Sequence, residues 1–327
     1  MTKPITRRSF LRRGTGICAA TLIGGRALSG LGRADDSPAP SKGAADNPST
    51  PPAEAVPDLA VVHGRDRRRQ ALEAVRLLGG METFISRGSK VCLLPNAQRS
   101  NPGTFTNPEI VRAVAEMCRE AGAKEVAAVS WLPETSWKST GLDRALTAAG
   151  ATLRMVDRTD ESLFREIDVP GGVALKKARV MTIFYEYDVL VTLPISKDHA
   201  GNRFTGTLKN MMGLSSPKTN RTFHTGNFKN DDIEHLDQSI ADLNTVIRPA
   251  LCVVDATEFI ITNGPFGPGE LHRPHKVVAG VDRVAVDAYC ASLWGLDPSS
   301  IIMIERARRH GLGRLDVAKL MVKEVSV

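Results

Sequence analysis

The chain has five cysteines in 327 residues but no Cys-x-x-Cys pair. Iron–sulfur clusters and structural zinc sites draw on closely spaced thiolates, so neither is expected. A Gly-x-Ser-x-Gly elbow, a His-Glu-x-x-His helix and a Walker loop are also absent, which removes the readily recognised serine hydrolases, zinc proteases and P-loop NTPases. The glycines of Gly264-Pro265-Phe266-Gly267-Pro268-Gly269 do not have the G-x-G-x-x-G spacing of a dinucleotide fingerprint, and the prolines stiffen the loop. No internal repeat is visible, and no stretch beyond residue 34 is long and apolar enough to span a bilayer.

Net charge is missing too, once the N-terminus is set apart. Seven of the 43 basic residues lie in the first 34 positions, which hold no acidic residue, leaving 36 basic against 36 acidic. A nucleic-acid surface needs a basic field over the folded domain, so nucleic acid is not an expected partner. The Arg65–Arg69 run reads as the solvated start of a helix.

The N-terminus carries Thr6-Arg7-Arg8-Ser9-Phe10-Leu11-Arg12, a weakly apolar stretch from Gly14 to Gly25, and a small-x-small site at Gly32-Arg33-Ala34. Residues 1–34 read as a twin-arginine signal peptide, with the twin-arginine export machinery as partner and a periplasmic or extracellular destination. Ile17 before Cys18 does not fit a lipoprotein site. The route carries folded chains, so a cofactor is permitted but not implied. Residues 35–56, rich in Pro, Ala, Ser, Asp and Gly, bury too little to offset chain entropy and read as a disordered linker. Residues 57–327 suit either one α/β domain or two intimately joined lobes. Cys92, Cys118, Cys252 and Cys290 each sit among apolar neighbours, as buried free thiols do.

The pattern alternates. Helix 68–78, strand Lys90–Pro95, a helix opening at Pro108 and closing at Gly122, strand Glu125–Ser130, helix Leu142–Ala149 and strand Thr152–Asp157 succeed one another. The succession predicts a mostly parallel central sheet flanked by helices. Residues 167–182 suggest a hairpin, Asp188–Leu193 a central strand, and 215–231 a long loop. Helix Asp232–Ile247, strands Ala250–Asp255 and Lys276–Gly280, helix Asp282–Trp294 and two short helices complete the reading.

The motif order resembles the family known as DUF362, a domain of unknown function. The resemblance rests on Val91–Asn96, Glu120-Ala121-Gly122-Ala123, Asp188–His199 and Leu208-Lys209-Asn210-Met211-Met212-Gly213. It continues through Val254-Asp255-Ala256, Gly280–Ala288 and Gly311-Leu312-Gly313. Members often carry a ferredoxin-like cluster domain, whose cysteines this chain lacks. The family name implies no reaction.

Read as residues, the segment 187–213 runs from an apolar strand into a loop with two lysines, a histidine and an amide. Strand ends of open α/β sheets are where side chains meet ligands. Lys197 and His199, two apart after Pro194, point the same way if the chain stays extended. His199 is a candidate general base or metal ligand, with a loop histidine held by a backbone carbonyl as the plain alternative. Thr205 and Gly206 open a short helix beside Lys209 and Asn210, a set suited to phosphate or carboxylate. Asn96 ends another strand, as a ligand contact or a turn residue. Asp282 reads as an N-cap, whereas Asp287 in an apolar helix needs a partner such as Lys197, Lys209 or a metal.

Asp255 and Glu258 are further oxygen donors for a hard cation, and His272 and His275 can bind metal or pack a loop; the metal question stays unknown. The expectation is therefore a small anionic ligand held by Asn96, Thr205, Gly206, Lys209 and Asn210, with Lys197, His199 and Asp287 as catalytic candidates. Either an enzyme working by proton transfer or with a metal, or a non-catalytic ligand- or cofactor-binding protein, or a partner of a redox system, fits this pocket. The sequence leaves the oligomeric state unknown.

Overall fold

Continuous apolar strands need cover on both faces, and the fold provides it. The computed structural model describes residues 56–225 and 232–327, all within one compact unit. The expected signal peptide and nearly all of the expected linker lie outside the described residues. The central sheet contains β1 (Leu59–His63), β2 (Lys90–Pro95), β3 (Glu125–Ser130), β4 (Thr152–Met155), β7 (Val189–Leu193), β8 (Leu251–Ala256), β11 (Lys276–Gly280) and β12 (Val322–Ser326). Its eight strands run in the order β12-β1-β11-β8-β7-β2-β3-β4. Every neighbouring pair is parallel except the two made by β11, which alone runs against the rest. The remaining strands are the expected hairpin of β5 (Phe164–Asp168) and β6 (Lys177–Met181), and the small pair β9 (Phe259–Ile260) and β10 (Leu271–His272).

Alternation sorts the strand residues into two cores. Leu59, Val61, Cys92, Leu94, Cys252 and Val254 pack on one face; Ala60, Val62, Val91, Leu93, Leu251 and Val253 pack on the other. The second face is covered by α1 (Arg67–Leu77), α2 (Pro108–Glu120), α3 (Glu134–Thr140) and α4 (Leu142–Ala148). The first is covered by α5 (Thr207–Asn210), α6 (Pro217–Thr225), α7 (Ile233–Val246), α8 (Arg283–Ser292) and α9 (Ile302–Arg309). Caps fix the starts: Asp66, Asn107, Asp232 and Asp282 each accept a first-turn amide with the side chain. The four described cysteines are free and buried.

Several elements differ from the sequence reading. The stretch expected to be loop from residue 215 contains α6, and α3 lies between the strand ending at Ser130 and the helix beginning at Leu142, where the sequence predicts no element. The chain finishes on a strand, β12, which pairs with β1; neither strand was read. Together they extend the sheet by two strands beyond β11.

Candidate functional site

The sheet places the carboxyl ends of β2, β3 and β7 side by side, the region where open α/β sheets meet ligands. There a cavity of about 400 Å³ opens. Leu94, Val129, Trp131, Trp137, Met212 and Leu236 supply its apolar wall, and Asn96, Lys197, His199, Thr205, Lys209 and Asn210 a polar one. Both tryptophans commit their N–H groups to protein acceptors: Trp131 donates to the Ser215 carbonyl (2.8 Å) and Trp137 to Ser130 Oγ (3.1 Å).

Pro194 ends β7, and the chain continues extended, Ser196 donating its amide to the Asp255 carbonyl. Lys197 and Thr205 then exchange backbone hydrogen bonds, folding residues 197–205 into a closed loop. Lys197 is 1% exposed, and its ammonium donates to two carbonyls, Thr104 (2.7 Å) and Pro265 (3.0 Å). Burial, helped by the nearby Lys209, lowers its pKa to about 7.

Lys209, on α5, donates to Asn202 Oδ1 (2.8 Å). Asn202 in turn donates through Nδ2 to the buried carboxylate of Asp237 on α7. Burial lowers Lys209 to about 8, partly countered by Asp237, and raises Asp237 to about 6. Neither lysine has a carboxylate within salt-bridge distance among the described residues. Both ammonium groups are thus held by neutral oxygens.

His199 is neutral. Its Nδ1 accepts from the amides of Gly201 (3.1 Å) and Asn202 (3.4 Å), so the proton sits on Nε2. Burial first, then Lys209, His224 and Lys197, lowers its pKa to about 2. The alternative expected for this histidine, a backbone carbonyl clamp, is inverted: backbone N–H groups hold it. The His224 ring from α6 stacks on it at 6.4 Å.

Two amides behave differently. Asn210 Nδ2 is committed to the Leu94 carbonyl (2.7 Å) and Thr192 Oγ1 (3.0 Å), tying α5 to β2 and β7. Asn96 Oδ1 is buried without a hydrogen-bond partner, as are Thr205 Oγ1 and Asn220 Oδ1, and all three residues line the cavity. Buried polar atoms normally find partners, so these three mark where a ligand can bond.

Two expected site residues stand elsewhere. Asp287 is fully buried and does not line the cavity; its carboxylate accepts from the amides of Thr207 (2.6 Å) and Leu208 (2.9 Å). Its partner is the start of α5 rather than a lysine or a metal, and burial raises its pKa to about 7. Gly206 is likewise absent from the wall. A Cβ there would collide with the Asp287 carboxylate and, at 2.6 Å, with the Phe204 ring. The amides proposed to hold a ligand anion are therefore already taken by an internal one. Asp255 is committed to Asn107 and Thr257, Glu258 to Arg273, and His272 to the Leu293 carbonyl. Among the described residues no three His, Cys, Asp or Glu side chains gather as a metal site.

The sequence reading did not select Trp131, Trp137, Asn202, Phe266 or Asp237, and it left His224 undecided. Trp131 and Trp137 reach the cavity through the sheet order, Phe266 on the loop after β9 and His224 on α6. Asn202 of the Lys197 loop and Asp237 of α7 do not line the cavity and pair with each other beside Lys209.

The sequence profile of DUF362, a domain of unknown function, matches residues 91–292, more than half of the chain, from β2 through α8. The chain belongs to the DUF362 family. The match takes in every cavity residue named above. A thylakoid-associated protein of Synechocystis sp., sll1697, is 27% identical over 244 residues, covering 72% of each chain. Among solved structures, the lactate racemase apoprotein of Thermoanaerobacterium thermosaccharolyticum aligns with TM-score 0.41 and 13% identity over 66% of this chain. A structural-genomics protein of Thermotoga maritima aligns with TM-score 0.38 and 12% identity over 58%. This chain spans about half the length of those two, 54% and 51%.

Proposed function

We propose that this DUF362 protein binds a small organic anion, a carboxylate or phosphate carrying an apolar body, in the cavity at the ends of β2, β3 and β7. The observation that carries the reading is the pair of lysines, Lys197 and Lys209, which enter one cavity with their charges balanced by no ion-paired carboxylate among the described residues. An anion supplies the missing charge, and the Trp131 and Trp137 wall takes the apolar remainder. Asn96, Thr205 and Asn220 offer oxygens to donors on the same ligand.

A second reading, catalysis of a proton transfer on the bound anion, draws support from Lys197, whose pKa of about 7 makes both forms available at neutral pH. In that reading Lys197 exchanges the proton and the neutral His199 orients ligand as an Nε2–H donor. The protein would work outside the cytoplasm after twin-arginine export; the support is the Arg7-Arg8 motif and the small-residue site ending at Ala34.

The experiment is native mass spectrometry of gently purified protein, followed by a calorimetric screen of small carboxylates and phosphates against wild type, Lys197→Met and Lys209→Met. A co-purifying or titrated anion lost in both variants supports the reading. Equal binding by all three proteins sinks it.

A further inference from the structure

A second cleft, of about 380 Å³, lies on a different part of the sheet, between the start of α1, the end of β8 and the start of β11. Arg65, Arg67 and Arg273 line it with Gln70, His275 and Glu258, and none of these residues lines the first cavity. Glu258 is the acidic side chain of the cleft, and it is engaged by Arg273 at 2.6 Å. Arg65 and Arg67 have no ion pair among the described residues, and Arg67 Nε is buried without a hydrogen-bond partner.

The second observation is Gln70, which is fully buried. Its Nε2 donates to the Val62 carbonyl (2.9 Å) and the His275 carbonyl (2.7 Å). Those two acceptors fix the amide's orientation, because turning it over would set oxygen against oxygen. His275 sits in the left-handed region at φ 53°, which turns its carbonyl toward both Gln70 and the Gly64 amide (3.0 Å). Gln70 Oε1 is then left as a buried acceptor with no donor. The cleft therefore presents cationic donors and one acceptor that needs a hydrogen.

A carboxylate or sulfate satisfies the arginines and offers no hydrogen to Gln70. A phosphomonoester, with its second pKa near about 6, is a bare dianion above neutrality. Inorganic phosphate keeps one hydroxyl in that range. We propose that this cleft binds inorganic phosphate as monohydrogen phosphate, with Arg65 and Arg67 donating to its oxygens and its hydroxyl donating to Gln70 Oε1.

The test is calorimetric titration with sodium phosphate at about pH 8, where phosphomonoesters have lost their last proton. It is run on the Lys197→Met protein, in which the first cavity has lost its central cation, and repeated with sulfate and phenyl phosphate. One phosphate should bind per chain. Sulfate and phenyl phosphate should each be at least about tenfold weaker, and adding Arg67→Met should weaken phosphate by at least about tenfold.

Arg67 is only half-buried, so the variant should keep its melting temperature without phosphate, separating lost binding from lost folding. Absence of binding up to about 10 mM phosphate, equal affinity for sulfate or phenyl phosphate, or indifference to Arg67→Met overturns the proposal. Because the host already lacks Lys197, these outcomes leave the reading of the first cavity untouched.

Discussion

The Asp287 carboxylate fills the space into which a side chain at position 206 would project, so Gly206 and Asp287 are a matched pair across 81 residues of sequence. The glycine lets the carboxylate reach the amides of Thr207 and Leu208, which lack an intrahelical acceptor at the start of α5. Since α5 carries Lys209 and Asn210, this pair sets the position of the cavity floor.

Gly206→Ala should therefore destabilise the fold by about 1–3 kcal/mol through overpacking, the φ of −153° lying outside the left-handed region. Asp287→Ala, which leaves two buried amides without acceptors, should be at least as damaging, roughly 2–5 kcal/mol. Urea denaturation monitored by circular dichroism measures both. A loss under about 0.5 kcal/mol in each would contradict the pairing.

Lys197 predicts a pH profile. Its protonated form binds the anion, so affinity at the first cavity should fall as pH rises through about 7. Lys197→Arg, which stays charged, should remove that fall even if it weakens binding at the start. Stability moves the other way. With the folded-state pKa far below the unfolded value of 10.5, the unfolded chain holds the extra proton between the two, so wild-type stability should rise from about pH 7 toward 10. Lys197→Met should keep only the smaller rise that Lys209, lowered to about 8, contributes above that pH, and denaturation midpoints at three pH values are enough to see the difference.

His199 should not titrate across the accessible range. Nitrogen-detected NMR of the ring should show the Nε2–H tautomer from about pH 5 to 9, because Nδ1 accepts two backbone amides. A midpoint near 6.5 would mean that the loop opens in solution.

Asp237 gives the opposite sign to Lys197. Its carboxyl is raised to about 6, so the contribution it makes in the protonated state is lost as pH rises through that value. Asp237→Asn keeps an oxygen for Asn202 and removes the buried charge. The variant should match wild type near pH 4 and equal or exceed it near pH 7 by about 1 kcal/mol. Thermal melts at the two pH values decide it.

Much of this arrangement was legible because it is local. Lys90–Pro95, Glu125–Ser130 and Lys276–Gly280 are apolar runs with marked ends, and the sequence reading placed all three at their observed limits. Lys197, His199, Lys209 and Asn210 lie on one stretch after one strand, so a strand-end rule was enough to group them. The failures share a physical cause. Asp287 looked like an unpaired charge in search of a lysine because the amides that satisfy it lie 79 and 80 residues away. β12, half-exposed at the sheet edge, lacks the apolar continuity of the inner strands, and β11 carries no local sign of its reversed direction. Trp131, Trp137 and Asp237 enter the site only through sheet order and helix docking, which no local pattern encodes.

The pairing of β1 with β12 and β11 also sets a clock on biosynthesis. β1 is the first strand of the sheet to leave the ribosome, yet both of its neighbours come from the last third of the chain, and the outer one ends at Ser326. The β2-β3-β4 side can pair as it emerges, whereas the β12-β1-β11 side waits until residues 276–326 have been made. The waiting strand, Leu-Ala-Val-Val-His, is wholly apolar up to its last residue, and in that interval both of its edges are open to pairing with another chain.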